Sequence, residues 1–175
     1  EVEDRALVEK IASSLSINVP VICVPGGATR QESVAAALAQ LPIDVEFVAV
    51  HDAARAFCSP ELIKEVINQA QHSGAAILAT PAKSTLKLVN NNSIIETIDR
   101  SQIWEAQTPQ VFKKNILLEA HQRAAQDQVV GTDECQLVER TGLEVRIVKG
   151  EDSNFKITTP EDLLYARWLL RGEKS

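Results

Sequence analysis

The chain of 175 residues is 45% hydrophobic and carries 18 basic against 24 acidic residues, a formal net charge of −6. This length and apolar content suffice for one buried core, and no Gly/Ser-rich linker divides the sequence, so one domain over 1–175 is expected. A net negative charge without a basic cluster argues against nucleic-acid and anionic-membrane binding, and no apolar run of about 20 residues predicts a membrane span.

The cysteines and histidines form no metal-binding or disulfide pattern. The three cysteines are odd in number and widely spaced, which fits neither a disulfide framework nor a CxxC metal site and indicates a reducing compartment. The three histidines are also far apart, and His72 and His121 lie in polar, helix-like segments where we expect solvated side chains. A histidine-ligated metal is therefore not expected.

The chain is expected to begin with a helix and a strand, followed by a loop that leads into a second helix. Apolar residues repeat at helical spacing from Val8 to Leu15, and the run VPVICV over 19–24 is typical of a strand near a sheet edge. A Pro-Gly-Gly break then precedes Thr29, which forms a capping-box pattern with Glu32 and predicts the N-terminus of a helix.

Two further strands alternate with a helix. The valine-rich run over 45–50 is typical of a mostly buried strand, and the apolar run over 75–80 predicts another. Between them, Ser59 and Pro60 mark the start of a helix that ends at Gly74. Strands that alternate with amphipathic helices require crossover connections, which predicts an α/β fold with a mostly parallel sheet.

A predicted hairpin interrupts this alternation. TLKLV over 85–89 and SIIETI over 93–98 flank three asparagines, which tolerate left-handed turn conformations. A two-stranded hairpin is marginal by itself, so it must lie against its own domain or a partner subunit. The remaining predicted elements are helices over 116–125 and 132–140, a strand over 143–148 and a last helix capped by Thr159.

A cluster of polar residues follows the strand over 45–50. Ligands of open α/β sheets bind beyond the carboxyl ends of strands, and His51, Asp52 and Arg55 stand at that place. A guanidinium suits phosphate, while a carboxylate suits hydroxyls or a metal, so the two can converge on one ligand. A structural salt bridge is the competing interpretation. The glycine loop before Thr29 is likewise open to two interpretations, a plain turn or a nucleotide site.

Five segments carry a resemblance to a known family. They read GGATRQESV at 26–34, HDAARAF at 51–57, TIDRSQIWEAQTPQVF at 97–112, TDE at 132–134 and NFKITTPEDL at 154–163. In this order and at this spacing they resemble the 2-C-methyl-D-erythritol 4-phosphate cytidylyltransferases. The resemblance covers nearly all 175 residues, and the combination is far more specific than any single segment.

The resemblance implies a Rossmann-like three-layer α/β sandwich of the nucleotide-diphospho-sugar transferase type, with a protruding hairpin arm over 83–108. In the family this arm exchanges between the subunits of a homodimer. The family begins with a strand, a glycine-rich loop of the type GxGxRMG and a PKQ segment, none of which occurs in this sequence. A chain that starts at Glu1 is thus expected to lack the first βα unit, with its triphosphate-binding arginine and lysine.

The activity implied by the resemblance is transfer of a cytidylyl group from CTP to 2-C-methyl-D-erythritol 4-phosphate in isoprenoid precursor biosynthesis, with release of pyrophosphate. Mg²⁺ or another divalent cation is the implied cofactor. Positioning and charge neutralisation at phosphorus dominate such chemistry. The implied catalytic residues are Asp52, Arg55 and Lys156, with Asp52 also as a metal ligand.

Binding roles follow from the same resemblance. Thr85, Arg100 and Thr108 would hold the phosphate of the sugar substrate, the first two from the neighbouring subunit. Thr132 is interpreted first as a helix N-cap. The loop at the start of GGATRQESV would hold the cytosine, by main-chain contacts because Ala28 replaces an acidic residue that is frequent in the family. The implied nucleotide-binding residues are Gly26, Gly27, Ala28, Arg30, Ser33 and Ala53.

Two other functions stay open at the level of sequence. A ribitol 5-phosphate cytidylyltransferase uses the same nucleotide, but that relative tends to carry HDAVR, and Ala54 favours methylerythritol phosphate. A noncatalytic α/β binding module is the second alternative, because the glycine-rich loop is missing. The expected partners are CTP and a sugar-alcohol phosphate, and the expected location is the bacterial cytoplasm, or a plastid if a transit peptide has been removed.

Overall fold

The computed structural model describes residues 4–15 and 19–172, which contain six α-helices and six β-strands. The helices, all expected from the sequence, are α1 (Arg5–Ser14), α2 (Arg30–Leu38), α3 (Pro60–Ser73), α4 (Lys114–Gln126), α5 (Glu134–Glu139) and α6 (Pro160–Leu170). The strands are β1 (Phe47–Val50), β2 (Ala75–Pro81), β3 (Leu86–Asn90), β4 (Ser93–Ile98), β5 (Trp104–Lys113) and β6 (Arg146–Lys149). None of the described helices combines the length and the apolar character needed to cross a bilayer.

Four strands form the central sheet in the order β1-β5-β2-β6. β1, β2 and β6 run in one direction, while β5 lies antiparallel between β1 and β2. The expected common direction therefore holds for three of the four strands, and β5 makes the sheet mixed. The sequence does not predict β5, because its buried Gln107, Thr108 and Gln110 have the polarity of a loop.

Helices cover both faces of the sheet, which confirms the three-layer α/β sandwich. On one face, Leu62 and Val66 of α3 pack with Leu78 of β2. On the other face, Phe112 of β5 packs with Leu117 of α4 and with residues of α2 and α5. Because neighbouring residues of a strand point to opposite faces, short apolar strands contribute to both cores.

Side-chain caps fix where several helices begin. Thr29 and Thr159 each form a capping box with the residue three positions further on, as the sequence predicts. The prediction that Thr132 is the N-cap of α5 is wrong. The carboxylate of Asp133 accepts the hydrogen bond from the Gln136 backbone N–H, while the Thr132 backbone N–H and hydroxyl both donate to the Gln136 side chain.

The predicted strand over 19–24 is also not formed. Residues 19–24 are mostly apolar and β-branched, yet they take part in neither sheet of the described structure. A strand requires a neighbour with which it shares backbone hydrogen bonds, and no described strand runs beside these residues. Ile22 is 62% exposed as a result.

His121 differs from its expected position in solvent. It lies in the buried face of α4 with Leu117, Ala120 and Ala124, a spacing that continues the apolar stripe of the helix. Burial lowers the pKa of His121 below its usual value, and the positive charge of Arg30 lowers it further. The prediction failed because the neighbouring residues in sequence are polar, although the helical spacing carried the correct signal.

β3 and β4 form a separate two-stranded sheet, which confirms the predicted hairpin. Asn91 and Asn92 take left-handed turn conformations, with φ angles of 45° and 61°. Ile94 and Ile95 are 64% and 59% exposed on this hairpin. Apolar side chains therefore remain uncovered on an element that is marginal without support.

Candidate functional site

Polar groups from three chain segments meet beyond the carboxyl end of β1. The segments are the loop over 51–55, a bulge in β5 at Thr108 and the loop over 154–157 after β6. The Ile157 N–H donates to the Ala54 carbonyl at 2.9 Å, which joins the first loop to the third. The meeting point lies where ligands of α/β sheets bind.

Asp52 is at the centre of this site and faces three cations. Lys156 Nζ lies 3.1 Å and Arg55 Nε 3.7 Å from Asp52 Oδ2. Arg30 Nη2 lies 3.5 Å from Asp52 Oδ1. Burial by itself raises the pKa of Asp52, but the hydrogen bond from Lys156 and the three positive charges together hold the pKa below its usual value. The carboxylate is therefore ionised at neutral pH.

Hydrogen bonds to the main chain hold Arg55 in place. Arg55 Nη1 donates to the Asn154 carbonyl at 2.7 Å, and Nη2 donates to the Ala106 carbonyl at 3.4 Å. The Arg55 backbone N–H donates to the Asp52 carbonyl at 2.9 Å. The planar guanidinium thus connects β5 with the loop after β6 and keeps its charge beside Asp52.

A bulge turns Thr108 of β5 toward the site. Between Gln107 and Gln110 the pairing with β2 shifts register, so two residues of β5 stand outside the ladder. The Thr108 hydroxyl accepts a hydrogen bond from the Asp52 backbone N–H at 2.9 Å and lies 2.9 Å from His51 Nδ1. Thr108 therefore orients the loop that carries Asp52.

Arg30 reaches the site from the start of α2. Its Nη1 donates a hydrogen bond of 2.6 Å to Oε2 of Glu134, the first residue of α5. Burial by itself lowers the pKa of Arg30, but the hydrogen bond and charge of Glu134 together with the charge of Asp52 outweigh burial and raise the pKa above its usual value. Arg30 therefore stays charged between two carboxylates, those of Glu134 and Asp52.

Two cavities meet at Arg30 and Asp52, which line both of them. The larger cavity, of about 470 Å³, lies between α2 and β1, and its walls also include Ser33 and Ala53. We call it the β1 groove. The smaller cavity, of about 210 Å³, is called the charged pocket. Its other functional side chains are Arg55, Thr108 and Lys156.

The glycine loop before α2 packs tightly against the first turn of that helix. A Cβ on Gly26 would lie 2.9 Å from Ser33 Oγ, and one on Gly27 would overlap the Glu32 side chain. The Gly27 N–H donates to Ser33 Oγ at 3.0 Å, and the Ala28 N–H donates to Glu32 Oε2 at 2.7 Å. Close packing thus requires these glycines, and two backbone donors expected to meet the nucleotide are engaged inside the loop.

Thr85 and Arg100 lie apart from the other predicted site residues. Both are exposed beside the hairpin formed by β3 and β4, and neither lines the β1 groove or the charged pocket. Gly26, Gly27 and Ala28 line neither cavity either. Within one chain, the structure therefore gathers the other predicted residues at the two cavities, but not Thr85, Arg100 or the glycine loop.

Sequence reasoning does not identify Glu134 and Asn154, although both contact site residues. Asn154 is fully buried and donates from Nδ2 to the Thr108 carbonyl at 2.9 Å, while the Glu134 side chain is 1% exposed. Both lie within motifs that carry the family resemblance, TDE and NFKIT. Motif membership was the available signal, but burial of a polar side chain cannot be read from a motif.

A sequence model of the family described as 2-C-methyl-D-erythritol 4-phosphate cytidylyltransferase matches residues 3–172. A protein of that name from Bacillus thuringiensis (strain Al Hakam) is 44% identical over 172 residues, which are 98% of this chain and 76% of that protein. Another of the same name, from Desulforamulus reducens, is 43% identical over 170 residues, 97% of this chain and 73% of its own length.

Solved structures give the same result. A structure described as 4-diphosphocytidyl-2C-methyl-D-erythritolsynthase from Anaerococcus prevotii has a TM-score of 0.88 and 31% identity, and covers 97% of this chain and 78% of its own. The 2-C-methyl-D-erythritol 4-phosphate cytidylyltransferase of Thermus thermophilus has a TM-score of 0.79 and 38% identity, and the match covers 89% of this chain and 78% of that one. Fold and relatives together define a Rossmann-like α/β protein of the nucleotidyltransferase type. The chain belongs to the 2-C-methyl-D-erythritol 4-phosphate cytidylyltransferase family.

Proposed function

We propose that this chain transfers a cytidylyl group from CTP to 2-C-methyl-D-erythritol 4-phosphate, a step of isoprenoid precursor biosynthesis. A phosphate oxygen of the sugar phosphate attacks the α-phosphorus of CTP, and the bond to the leaving pyrophosphate breaks. The products are 4-diphosphocytidyl-2-C-methyl-D-erythritol and pyrophosphate. The observation that carries the proposal is the set of three cations around the ionised Asp52, at the junction of the β1 groove and the charged pocket. Family membership supports the choice of nucleotide and acceptor.

Neutralisation of phosphate charge is the main contribution that we assign to the charged pocket. Negative charge on the phosphate oxygens is stabilised by fixed cations in a partly buried site. The Lys156 side chain is 45% exposed, and Asp52 is its ion-pair partner in the described part of the chain, so Lys156 can turn to a phosphate at a small cost in free energy. Arg55 is fixed by the Asn154 carbonyl and keeps the loop in place while its charge acts on the substrate. Asp52 accepts hydrogen bonds from substrate hydroxyls.

The two cavities suit the two substrates. The β1 groove is lined mostly by apolar residues, together with Ser33 and Ala53, and this suits a base with its ribose. The charged pocket suits the phosphate of the acceptor, because Lys156 and Arg55 line it. The α-phosphorus would then lie where the cavities meet.

A divalent cation such as Mg²⁺ is the cofactor in this proposal. Mg²⁺ at nucleotide sites is held by one or two carboxylates together with the substrate phosphates. The ionised carboxylate of Asp52 fits this role. Among the residues that the structure describes, no cluster of three His, Cys, Asp or Glu side chains offers an all-protein metal site. Asp52 would thus hold the cation with the nucleotide, and the bound cation would neutralise phosphate charge.

The proposal also covers assembly and location. We place a homodimer contact on the arm over 83–108, where Ile94 and Ile95 are uncovered. A partner chain would bury this apolar surface and would receive Thr85 and Arg100 in its own charged pocket. The free cysteines and the bacterial sources of the relatives support a cytoplasmic location.

Release of pyrophosphate from CTP tests the proposal. The full-length protein is incubated with CTP, Mg²⁺ and either 2-C-methyl-D-erythritol 4-phosphate or ribitol 5-phosphate. Turnover with the first acceptor is expected. Turnover with ribitol 5-phosphate alone would support the other cytidylyltransferase, and no turnover with either acceptor would support a noncatalytic binding module.

Two substitutions test the site itself. Asp52→Asn and Lys156→Ala are each expected to lower kcat/KM about a hundredfold or more. Asp52→Asn removes the carboxylate that would hold the cation and the substrate hydroxyls, and Lys156→Ala removes a positive charge from the reacting phosphates. Lys149→Ala is the matched control, since Lys149 is an exposed lysine at the end of β6 outside both cavities. If the Asp52→Asn variant keeps the wild-type kcat/KM and melting temperature, Asp52 has no role in the reaction.

A further inference from the structure

The first residue of α5 is a buried carboxylate beside the site. The Glu134 side chain is 1% exposed, and its closest charged partner is Arg30, at 2.6 Å. A buried carboxylate is costly unless a partner compensates its charge, and a charge-assisted hydrogen bond of this length is such a partner. Glu134 lines neither the β1 groove nor the charged pocket, although Thr132 and Asp133 before it line the charged pocket. The Glu134 side chain is joined to the cavity walls through its hydrogen bond to Arg30.

Arg30 is shared unequally between two carboxylates. Its guanidinium makes a short hydrogen bond to Glu134, while its distance of 3.5 Å from Asp52 is longer than that of a direct hydrogen bond between charged groups. Lys156 is the closer partner of Asp52, at 3.1 Å. The hydrogen bond to Glu134 thus determines the distance between the Arg30 guanidinium and the Asp52 carboxylate.

Arg30 also occupies the boundary of the two cavities. It is the first residue of α2, directly after the N-cap Thr29, and it lines both the β1 groove and the charged pocket. Its hydrogen bond to Glu134 therefore ties the start of α2 to the start of α5. A displaced guanidinium would change the wall between the cavities as well as the surroundings of Asp52.

We propose that Glu134 is a positioning residue, which holds the Arg30 guanidinium at the boundary of the cavities and prevents it from closing onto Asp52. The Asp52 carboxylate then remains available to Lys156 and to the ligand. The effect on turnover rests on the proposed cytidylyl transfer, whereas the position of Arg30 does not.

Glu134→Gln tests this role, because it keeps the size of the side chain and removes its charge. With Glu134 neutral, Asp52 is the nearest anion to Arg30, and a close pair between them forms. We expect kcat/KM to fall about 10- to 100-fold, which is the usual effect of replacing a residue that does not touch the ligand but orients a residue that does. Glu139→Gln is the control at the other end of α5, where Glu139 is exposed, and it should keep the wild-type rate.

A double-mutant cycle separates positioning from a general structural role. If Glu134 acts through Arg30, the double variant Arg30→Ala/Glu134→Gln should be no slower than Arg30→Ala alone. Losses that multiply would overturn the proposal. Should Glu134→Gln not fold, Glu134→Asp in the Arg30→Ala background is used instead, and it should likewise leave kcat/KM unchanged.

A crystal structure of Glu134→Gln gives a readout that does not depend on turnover. Arg30 is expected within about 3 Å of Asp52, the distance of a charge-assisted hydrogen bond. An Arg30 that stays at 3.5 Å would overturn the proposal even if the variant were slow. A wild-type protein that releases no pyrophosphate would refute the proposed function, and the position of Arg30 in the variant would still decide the role of Glu134.

Discussion

His121 is a titratable side chain packed into the core behind the site. Its Nε2 is buried and has no hydrogen-bond partner in the described structure. Burial, followed by the positive charge of Arg30, lowers the pKa of His121 below the ordinary value of 6.5. The folded protein therefore favours the neutral imidazole, which connects its stability to pH.

Replacement of His121 by leucine is expected to flatten the fall in stability below pH 6.5. In the wild type, the contribution of the neutral imidazole is complete above pH 6.5. It is lost as the pH falls toward the lower folded pKa, because the unfolded chain takes up the proton first. Urea titrations at several pH values measure the free energy of unfolding. His72→Leu, at an exposed position, is the control, and an unchanged slope in His121→Leu would contradict the expectation.

The residues of the site were predictable to different degrees. Asp52 and Arg55 could be found from physical reasoning, because an apolar strand ends abruptly at them. Lys156 required the family resemblance, since nothing in its local sequence distinguishes it from a solvated lysine. Glu134 and Asn154 were missed because their burial arises from α5 and the loop after β6 closing against β5, which is a tertiary property.

At the level of elements, the capping box of α2 is expected to support nucleotide binding. Thr29→Ala removes the hydrogen bond to the Glu32 backbone N–H and should cost about 1 kcal/mol of unfolding free energy. Because the glycine loop packs on this first turn, the KM for CTP should also rise. Steady-state kinetics and urea titrations measure the two effects.

Ser59→Ala is the matched control for this prediction. Ser59 caps α3 in the same way, by accepting from the Leu62 backbone N–H, but it does not contact the glycine loop. A similar loss of stability without a change in the KM for CTP is expected. If the two variants change KM equally, the effect of Thr29 comes from stability alone.

Elements were predicted well where periodicity and caps agreed, and poorly where a neighbouring strand decides the structure. α3 has an apolar stripe, an N-terminal Ser-Pro and a terminal glycine with a φ of 85°. β5 has none of these signals, since Gln107 and Gln110 accept buried hydrogen bonds instead of packing as apolar residues. Residues 19–24 show the opposite case, in which strand-like residues have no described partner.

For the whole molecule, the proposed homodimer predicts recovery of activity between two inactive variants. Asp52→Asn loses the centre of its own site, and Arg100→Ala loses the residue supplied to its partner. A mixed dimer of the two contains one intact site. Random exchange of equal amounts should therefore restore about a quarter of the wild-type activity.

Subunit exchange has to be shown independently, by mass spectrometry of one isotope-labelled variant mixed with the other. Each variant mixed with itself serves as the control and should remain inactive. Exchange without recovery would assign Arg100 to the site of its own chain and would reject the shared arrangement.

The place of β5 in the sheet has a consequence for biosynthesis. β1 and β2 leave the ribosome before β5. They are not neighbours in the sheet, and both pair with β5, residues 104–113. At a translation rate of about 5–20 residues per second, the edges of β1 and β2 stay unpaired for seconds. Sheets that depend on such distant pairings also form slowly. Because the site needs Thr108 of β5 and then Lys156, a nascent chain acquires its ligand-binding surface only after Lys156 has been translated.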